Sequence, residues 1–385
     1  MSADLFAGTY ARGGAAQAVT GEAWVRAMVD VEAALAAACV VEGLIQPQAG
    51  EAILRALQQG PVAVEAIAAG AGEHATPVIA LVHALRERVG EEFADSVHLG
   101  ATSQDIVDTA AMLLAQRALS TIVADAGAAM TAAARLAVAH RSTAMIGRTL
   151  LQAALPTSFG LVAAGWMVGL ERATVELERI RDTGLAVQAG GPVGTRPPRV
   201  AERMASTLGL SVPILPWHTE RTRIVQLAAA LGAIAGFAGK IARDVALLAQ
   251  TEVGELREGG EGRGGSSAIA HKRNPVAAVS VIACAHRVPG LVATLFAGME
   301  QEHQRAAGEW QAEWGTLTEL LTLTGSALAW LADLLEQLQV DAARMRQNLA
   351  ALAAAGVSAA GAGGIESQLA DAAQLVDRAL AAVRT

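Results

Sequence analysis

The sequence predicts an all-α protein built as a bundle of long helices. Three observations point there. Apolar residues recur at three- and four-residue steps over stretches longer than an ordinary globular helix. The composition is rich in Ala, Leu and Glu while aromatics make up only 3%, and Ala, Leu and Glu side chains lose little rotamer freedom in a helix. No long stretch alternates apolar and polar residues with the strand period of two.

The helices follow in order. Residues 21–43 place Trp24, Met28, Val31, Leu35 and Ala38 on one stripe. Residues 104–140 carry Met112, Leu113, Leu119, Ile122 and Leu136. A third helix is expected from Pro156 to about Ala186, because proline is tolerated in a first helical turn. A fourth spans 218–253, with Ile224, Leu227, Leu231, Ile234, Ile241, Val245 and Leu248 in register. A fifth runs from Val276 to about Gln304 with a bend expected at Pro289, and a sixth covers 308–337. The Gly/Pro-rich segment 189–198 reads as a loop or short hairpin. Residues 349–364 are weakly specified, and 365–383 form a last amphipathic helix. Helices of about 30 residues reach about 45 Å, and stripes that long must be buried against one another. The expected divisions are an N-terminal helical domain over 1–100, a central long-helix bundle over 101–340 and an abbreviated C-terminal helical domain over 341–385.

Composition excludes several classes. The formal net charge is −8 over 385 residues, whereas nucleic acid demands a basic surface. Cys39 and Cys284 are the only cysteines; they supply neither a disulfide framework nor a zinc site, which fits a reducing compartment. The start, Met1-Ser2-Ala3-Asp4, lacks the basic and apolar regions of a secretory signal. No uncharged apolar run approaches the ~20 residues that cross a bilayer. The expectation is a cytoplasmic protein with no membrane or nucleic-acid partner and a large subunit interface. There is no His-Glu-x-x-His, P-loop or dinucleotide fingerprint, which disfavours a metal or nucleotide enzyme.

Three polar segments interrupt the apolar pattern, each at a helix end. The first runs from Ser96 through His98 to Asp105. Thr102 and Ser103 are good N-caps, and hydroxyls with free N–H groups can bind an anion there. Taken alone, simple capping and a packed His98 explain it as well. The second runs from Gly147 to Pro156. A helical turn would bring Arg148 and Gln152 to one face, a pairing suited to a carboxylate. The third is Gly264-Gly265-Ser266-Ser267-Ala268-Ile269-Ala270-His271-Lys272-Arg273-Asn274-Pro275, preceded by more glycine. Such a stretch suits a lid. Its N–H groups can cradle an oxyanion beside Lys272, Asn274 can cap the next helix, and Pro275 can occupy its first position. If the helices 104–140, 156–186 and 218–253 run up, down and up, the first segment lies about 50 Å from the other two. One site made from all three then requires several subunits.

The three segments resemble, in order, the three conserved regions of the fumarase/aspartase superfamily, over the chain from its N-terminal helix to about residue 345. The third is similar to the family's Gly-Ser-Ser-x-Met-Pro-x-Lys-x-Asn-Pro. The resemblance implies a homotetramer around a shared helical bundle, sites composed from three subunits, and no metal or organic cofactor. It implies that Ser266 is the loop serine, the base in many members. Lys272 and Asn274 would bind substrate carboxylate, Thr102, Ser103 and Gln104 would line the site with the neighbouring Ser267, and Arg148 and Gln152 would stand opposite.

Departures narrow the resemblance. Leu150 stands where most members have histidine after Arg-Thr, and Val276-Ala277-Ala278-Val279 lacks the glutamate that pairs with it. Ile269 and Ala270 replace methionine and proline. Neither Leu nor Val can move a proton. The double loss resembles the bacterial 3-carboxy-cis,cis-muconate cycloisomerases, as do Pro216–Arg223, Glu302–Trp314 and Ala372–Leu380. That resemblance implies intramolecular addition of a carboxylate within a polycarboxylate substrate. Arg148, Lys272, Arg221 and Arg223 are the candidate cations, with Lys272 stabilising an enolate and Ser266 or His98 handling the carbon proton. The rival readings are a C–N or C–O lyase on another dicarboxylate, and a non-catalytic protein on this fold.

Overall fold

The computed structural model describes residues 5–260, 262–269, 271–354 and 364–383; the substitution at Ala270 and most of the Ala/Gly-rich tail lie outside them. Two short helices, α1 (Ala7–Tyr10) and α2 (Gly14–Ala18), lead into α3 (Gly21–Val41). Then come α4 (Pro47–Leu57), α5 (Val64–His74), α6 (Val78–Val89) and the long α7 (Ser103–Ala139). A hairpin of β1 (Ala144–Thr149) and β2 (Gln152–Ser158) precedes α8 (Phe159–Arg179), α9 (Pro198–Leu208) and α10 (Thr222–Leu248). The rest is α11 (Val276–Ala297), α12 (Glu309–Glu336), α13 (Ala342–Ala354) and α14 (Gly364–Ala382). A short bridge pairs β3 (Leu256–Arg257) with β4 (Gln339–Val340).

Helices α7, α8, α10, α11 and α12 pack side by side as the predicted bundle. Their facing stripes, among them Leu119, Ile122, Leu231, Ile234, Leu328 and Leu331, are fully buried and form one continuous core. Of the N-terminal helices, α2, α3 and α6 pack directly on α7, α1 packs on α11 and α12, and α4 and α5 join through α3 and α6, while α13 and α14 pack against the hairpin and α8.

Several local expectations need correction. Residues 144–158 are a hairpin rather than a loop entering a helix at Pro156. Arg148 and Gln152 therefore lie on opposite strands, near the Thr149–Gln152 pair that closes the turn. The central turn residues are Leu150 and Leu151, with φ of 52° and 63°, a type I′ pattern normally filled by Asn-Gly. Helix α11 begins at Val276, so Pro275 precedes it rather than opening it, and it ends at Ala297 with Pro289 inside. By length and composition α7, α10 and α11 are apolar enough to cross a bilayer. The bundle buries 50%, 56% and 39% of their most apolar windows, respectively, which leaves apolar surface outward.

Candidate active site

The two ends of the bundle hold different chemistry. At one pole, α7 starts on Thr102, whose backbone N–H donates to Asp105 Oδ2 at 3.1 Å. Asp105 is a buried hub. It also accepts from the N–H groups of Gly190 and Gly191, both at 2.9 Å, and lies 2.7 Å from His218 Nε2. Burial pushes its carboxyl up, but His218 and the two N–H groups outweigh burial, and the net direction is down. The Thr102 and Ser103 side chains, by contrast, are half-buried at the helix start, where Thr102 and Asp105 form a capping box. They remain candidates for anion binding there.

Gln104 and Arg221 are turned into the protein, although Gln104 Oε1 has no hydrogen-bond partner among the described residues. Gln104 is buried, and its amide donates to His218 O at 2.7 Å and Asp108 Oδ2 at 3.1 Å. Arg221 has a side chain only 1% exposed. Its Nε donates to Glu313 at 2.9 Å, Nη1 to Asp108 at 2.8 Å and to His218 O at 3.4 Å, and Nη2 to both carboxylates. Every guanidinium donor is committed, so Arg221 is a strut rather than a substrate ligand. Burial alone would lower its pKa, but Asp108 and Glu313 raise it. Burial pushes the Glu313 carboxyl up more than Arg221 holds it down. Arg223 is half-buried, donates to Gly184 O and lies over the Trp217 ring at 5.4 Å. It too is turned inward. His98 sits just before Thr102 with Nδ1 2.6 Å from Glu32 Oε1.

The opposite pole joins the second and third segments. Arg148 makes a two-pronged bridge to Glu255, at 2.9 and 2.8 Å. Glu255 is fully buried and also accepts from Asn348 Nδ2 at 2.8 Å. The Arg148 fork is thus occupied by Glu255. Gln152 is exposed beside the hairpin tip, where Leu150 is 97% exposed.

Beyond Glu255 the serine loop borders a cleft of about 1460 Å³ lined by Arg257, Arg263, His271, Lys272, Arg273 and Asn274. Lys272 and Asn274 were anticipated; the other basic residues were not, although their clustering around glycine was a readable signal. Ser266 and Ser267 do not line this cleft. Ser266 Oγ accepts from the N–H groups of Ala268 and Ile269, at 3.3 and 3.2 Å, which makes the turn. Asn274 does not cap α11. Glu258 does, accepting from the N–H groups of Ala277 at 3.0 Å and Ala278 at 2.7 Å. Asn274 N–H instead donates to Gly264 O at 2.8 Å. A Cβ on Gly264, where φ is +78°, would sit 2.4 Å from that asparagine's carbonyl oxygen, so glycine is required for this loop closure.

The poles are far apart. Helix α7 has 37 residues, which at 1.5 Å each separate its ends by about 55 Å. Within one chain, His98, Thr102 and Ser103 cannot meet Lys272.

A family model described as "Lyase" matches residues 3–290. A 3-carboxy-cis,cis-muconate cycloisomerase of Bradyrhizobium diazoefficiens is 48% identical, covering 84% of this chain and 74% of that one. A nitrosuccinate lyase of Streptomyces davaonensis is 42% identical, over 86% of this chain and 74% of its own. The crystal structure of 3-carboxy-cis,cis-muconate lactonizing enzyme from Pseudomonas putida superposes with a TM-score of 0.85 at 38% identity, covering 99% of this chain and 88% of that one. With the long-helix bundle and the three polar segments in place, the chain belongs to the lyase family of the fumarase/aspartase superfamily.

Proposed function

We propose that this protein is a cycloisomerase that converts 3-carboxy-cis,cis-muconate to its carboxymuconolactone. One observation carries the choice within the family. The hairpin tip presents Leu150 and the start of α11 presents exposed Val279, so the positions of the usual proton relay hold no titratable group, while the basic cleft remains. A carboxylate is already ionised at neutral pH and needs no base to become a nucleophile. Its oxygen bonds to one end of the conjugated double bond. The electron pair moves onto the carbon beside another carboxylate, giving an enolate that Lys272 and the loop N–H groups stabilise. A general acid then delivers one proton to that carbon, and no atom leaves. Ser266 and His98 are the candidates for that proton. The other basic side chains of the cleft supply charge for a tricarboxylate.

The separation of the poles supports a composite site shared between copies, in a homotetramer whose packing covers the outward apolar faces of α7, α10 and α11. Two buried free cysteines suit a reducing, cytoplasmic setting. The likeness to a nitrosuccinate lyase supports one competing reading, C–N cleavage of a substituted succinate, which also uses a carboxylate-stabilised carbanion. Ultraviolet-monitored turnover decides between them. The expected result is loss of 3-carboxymuconate absorbance with no turnover of nitrosuccinate, adenylosuccinate or argininosuccinate. Turnover of a succinate and silence with the muconate overturn the proposal.

A further inference from the structure

An acid stands on the apolar stripe of α3. Glu32 shares the helix face of Met28, Val31 and Leu35 and is only 2% exposed. Among the described residues its carboxylate has a single hydrogen-bond partner, His98, with Oε1 2.6 Å from Nδ1. A buried carboxylate without a donor is strongly disfavoured, so the contact demands a proton between the two groups. His98 is also unusual in its backbone, with φ of 62°, a left-handed conformation that is strained for a non-glycine residue. The turn around it is clamped: Arg196 Nη1 donates to Leu99 O at 2.8 Å and Ala101 N–H to His98 O at 3.2 Å. The His98 side chain keeps 15% of its surface open, and Nε2 bonds to no described residue. Four residues later the Thr102 and Ser103 hydroxyls begin α7.

We propose that Glu32 is the positioning residue for His98. It accepts the Nδ1 proton, fixes the ring's tautomer and orientation, and leaves Nε2 as the atom free to exchange a proton with substrate carbon. This rests on the reading of His98 as the proton carrier of the cycloisomerase site. In the lactonizing direction a cationic ring gives the Nε2 proton to the enolate carbon. The carbon's electron pair forms the C–H bond, and the ring is left neutral with its lone pair on Nε2 and its other proton still held by Glu32.

Nitrogen-15 histidine spectra of the full-length, substrate-free protein test this, with the His98 signals assigned by their loss in His98→Asn. The neutral ring is expected to show a pyrrole-type Nδ1 and a pyridine-type Nε2. The reverse pattern overturns the proposal. In Glu32→Leu, kcat for the muconate is expected to fall about 100-fold, the lower end of general acid–base contributions, with KM changed less than about threefold. Glu32→Gln keeps an acceptor for Nδ1–H and is expected to retain the tautomer and recover kcat to within about tenfold of the parent. Unchanged kcat in Glu32→Leu also overturns it. If the parent protein fails to turn over the muconate, the spectra still decide the role of Glu32, and the failure falls on the proposed substrate.

Discussion

Replacing Arg221 with alanine separates a structural from a catalytic role at the position where sequence pattern and structure disagree most. The guanidinium spans Asp108 and Glu313, both buried, and donates to each from two nitrogens. Removing it leaves two buried carboxylates without their cation, an arrangement that costs about 3–5 kcal/mol. Unfolding entropy of about 2.1 cal/mol/K per residue gives a chain of 385 residues about 0.8 kcal/mol/K. A loss of about 4 kcal/mol then lowers the melting temperature by about 5 °C if the chain melts as one unit. Arg221→Lys keeps the charge but cannot bridge two carboxylates, so it is expected to fall between the parent and Arg221→Ala. Thermal melting by circular dichroism and calorimetry measures both variants. A melting temperature unchanged in Arg221→Ala, with turnover lost, refutes the reasoning and returns Arg221 to the substrate.

Other outcomes follow from the same geometry. Lys272→Ala is expected to lower kcat/KM by about 10²–10³-fold while shifting stability by less than about 0.5 kcal/mol, because Lys272 is exposed; steady-state kinetics beside a denaturant melt check both. Arg148→Ala leaves Glu255 buried with only Asn348 and is expected to cost about 2 kcal/mol, less than a fully buried pair because Arg148 is 25% exposed; urea melts measure it. Glu258→Ala removes the cap on α11 and is expected to cost about 1 kcal/mol and to slow turnover by loosening the Lys272 segment. The Asp105 carboxyl is held below its ordinary value, so its contribution is fully present above about pH 3.9 and is lost as pH falls through the depressed value. The stability gap between the parent and Asp105→Asn is therefore expected to narrow in acid, and a gap that widens contradicts the network. Glu313, raised by burial, works the other way, since its unfavourable contribution eases as pH falls through the raised value.

The long helices were legible because their apolar stripes repeat with the helical period over many turns, and α3, α7, α10 and α12 lie close to where that repeat puts them. The hairpin was not. Leu150-Leu151 carries none of the usual turn chemistry, and its strained backbone is imposed by the Thr149–Gln152 pairing and by α13 and α14 packed against the strands. Arg221 and Gln104 look like site residues in a polar segment because their partners lie on elements remote in sequence, with Asp108 113 residues from Arg221 and His218 114 from Gln104. Asn274 followed by proline reads as a cap, yet Glu258 reaches the same N–H groups from 19 and 20 residues upstream. Glu32 did leave a local signal, an acid among Met28, Val31 and Leu35, of the kind that marks a buried partner.

The proposed site joins two distant poles. Thr102→Val and Lys272→Ala variants, each expected to be severely impaired toward 3-carboxymuconate, can be unfolded together and reassembled. The mixture is expected to regain turnover well above that of either variant, because mixed oligomers contain sites with an intact pole from each chain. A mixture no more active than its parents, despite mixed oligomers seen by native mass spectrometry, contradicts a shared site.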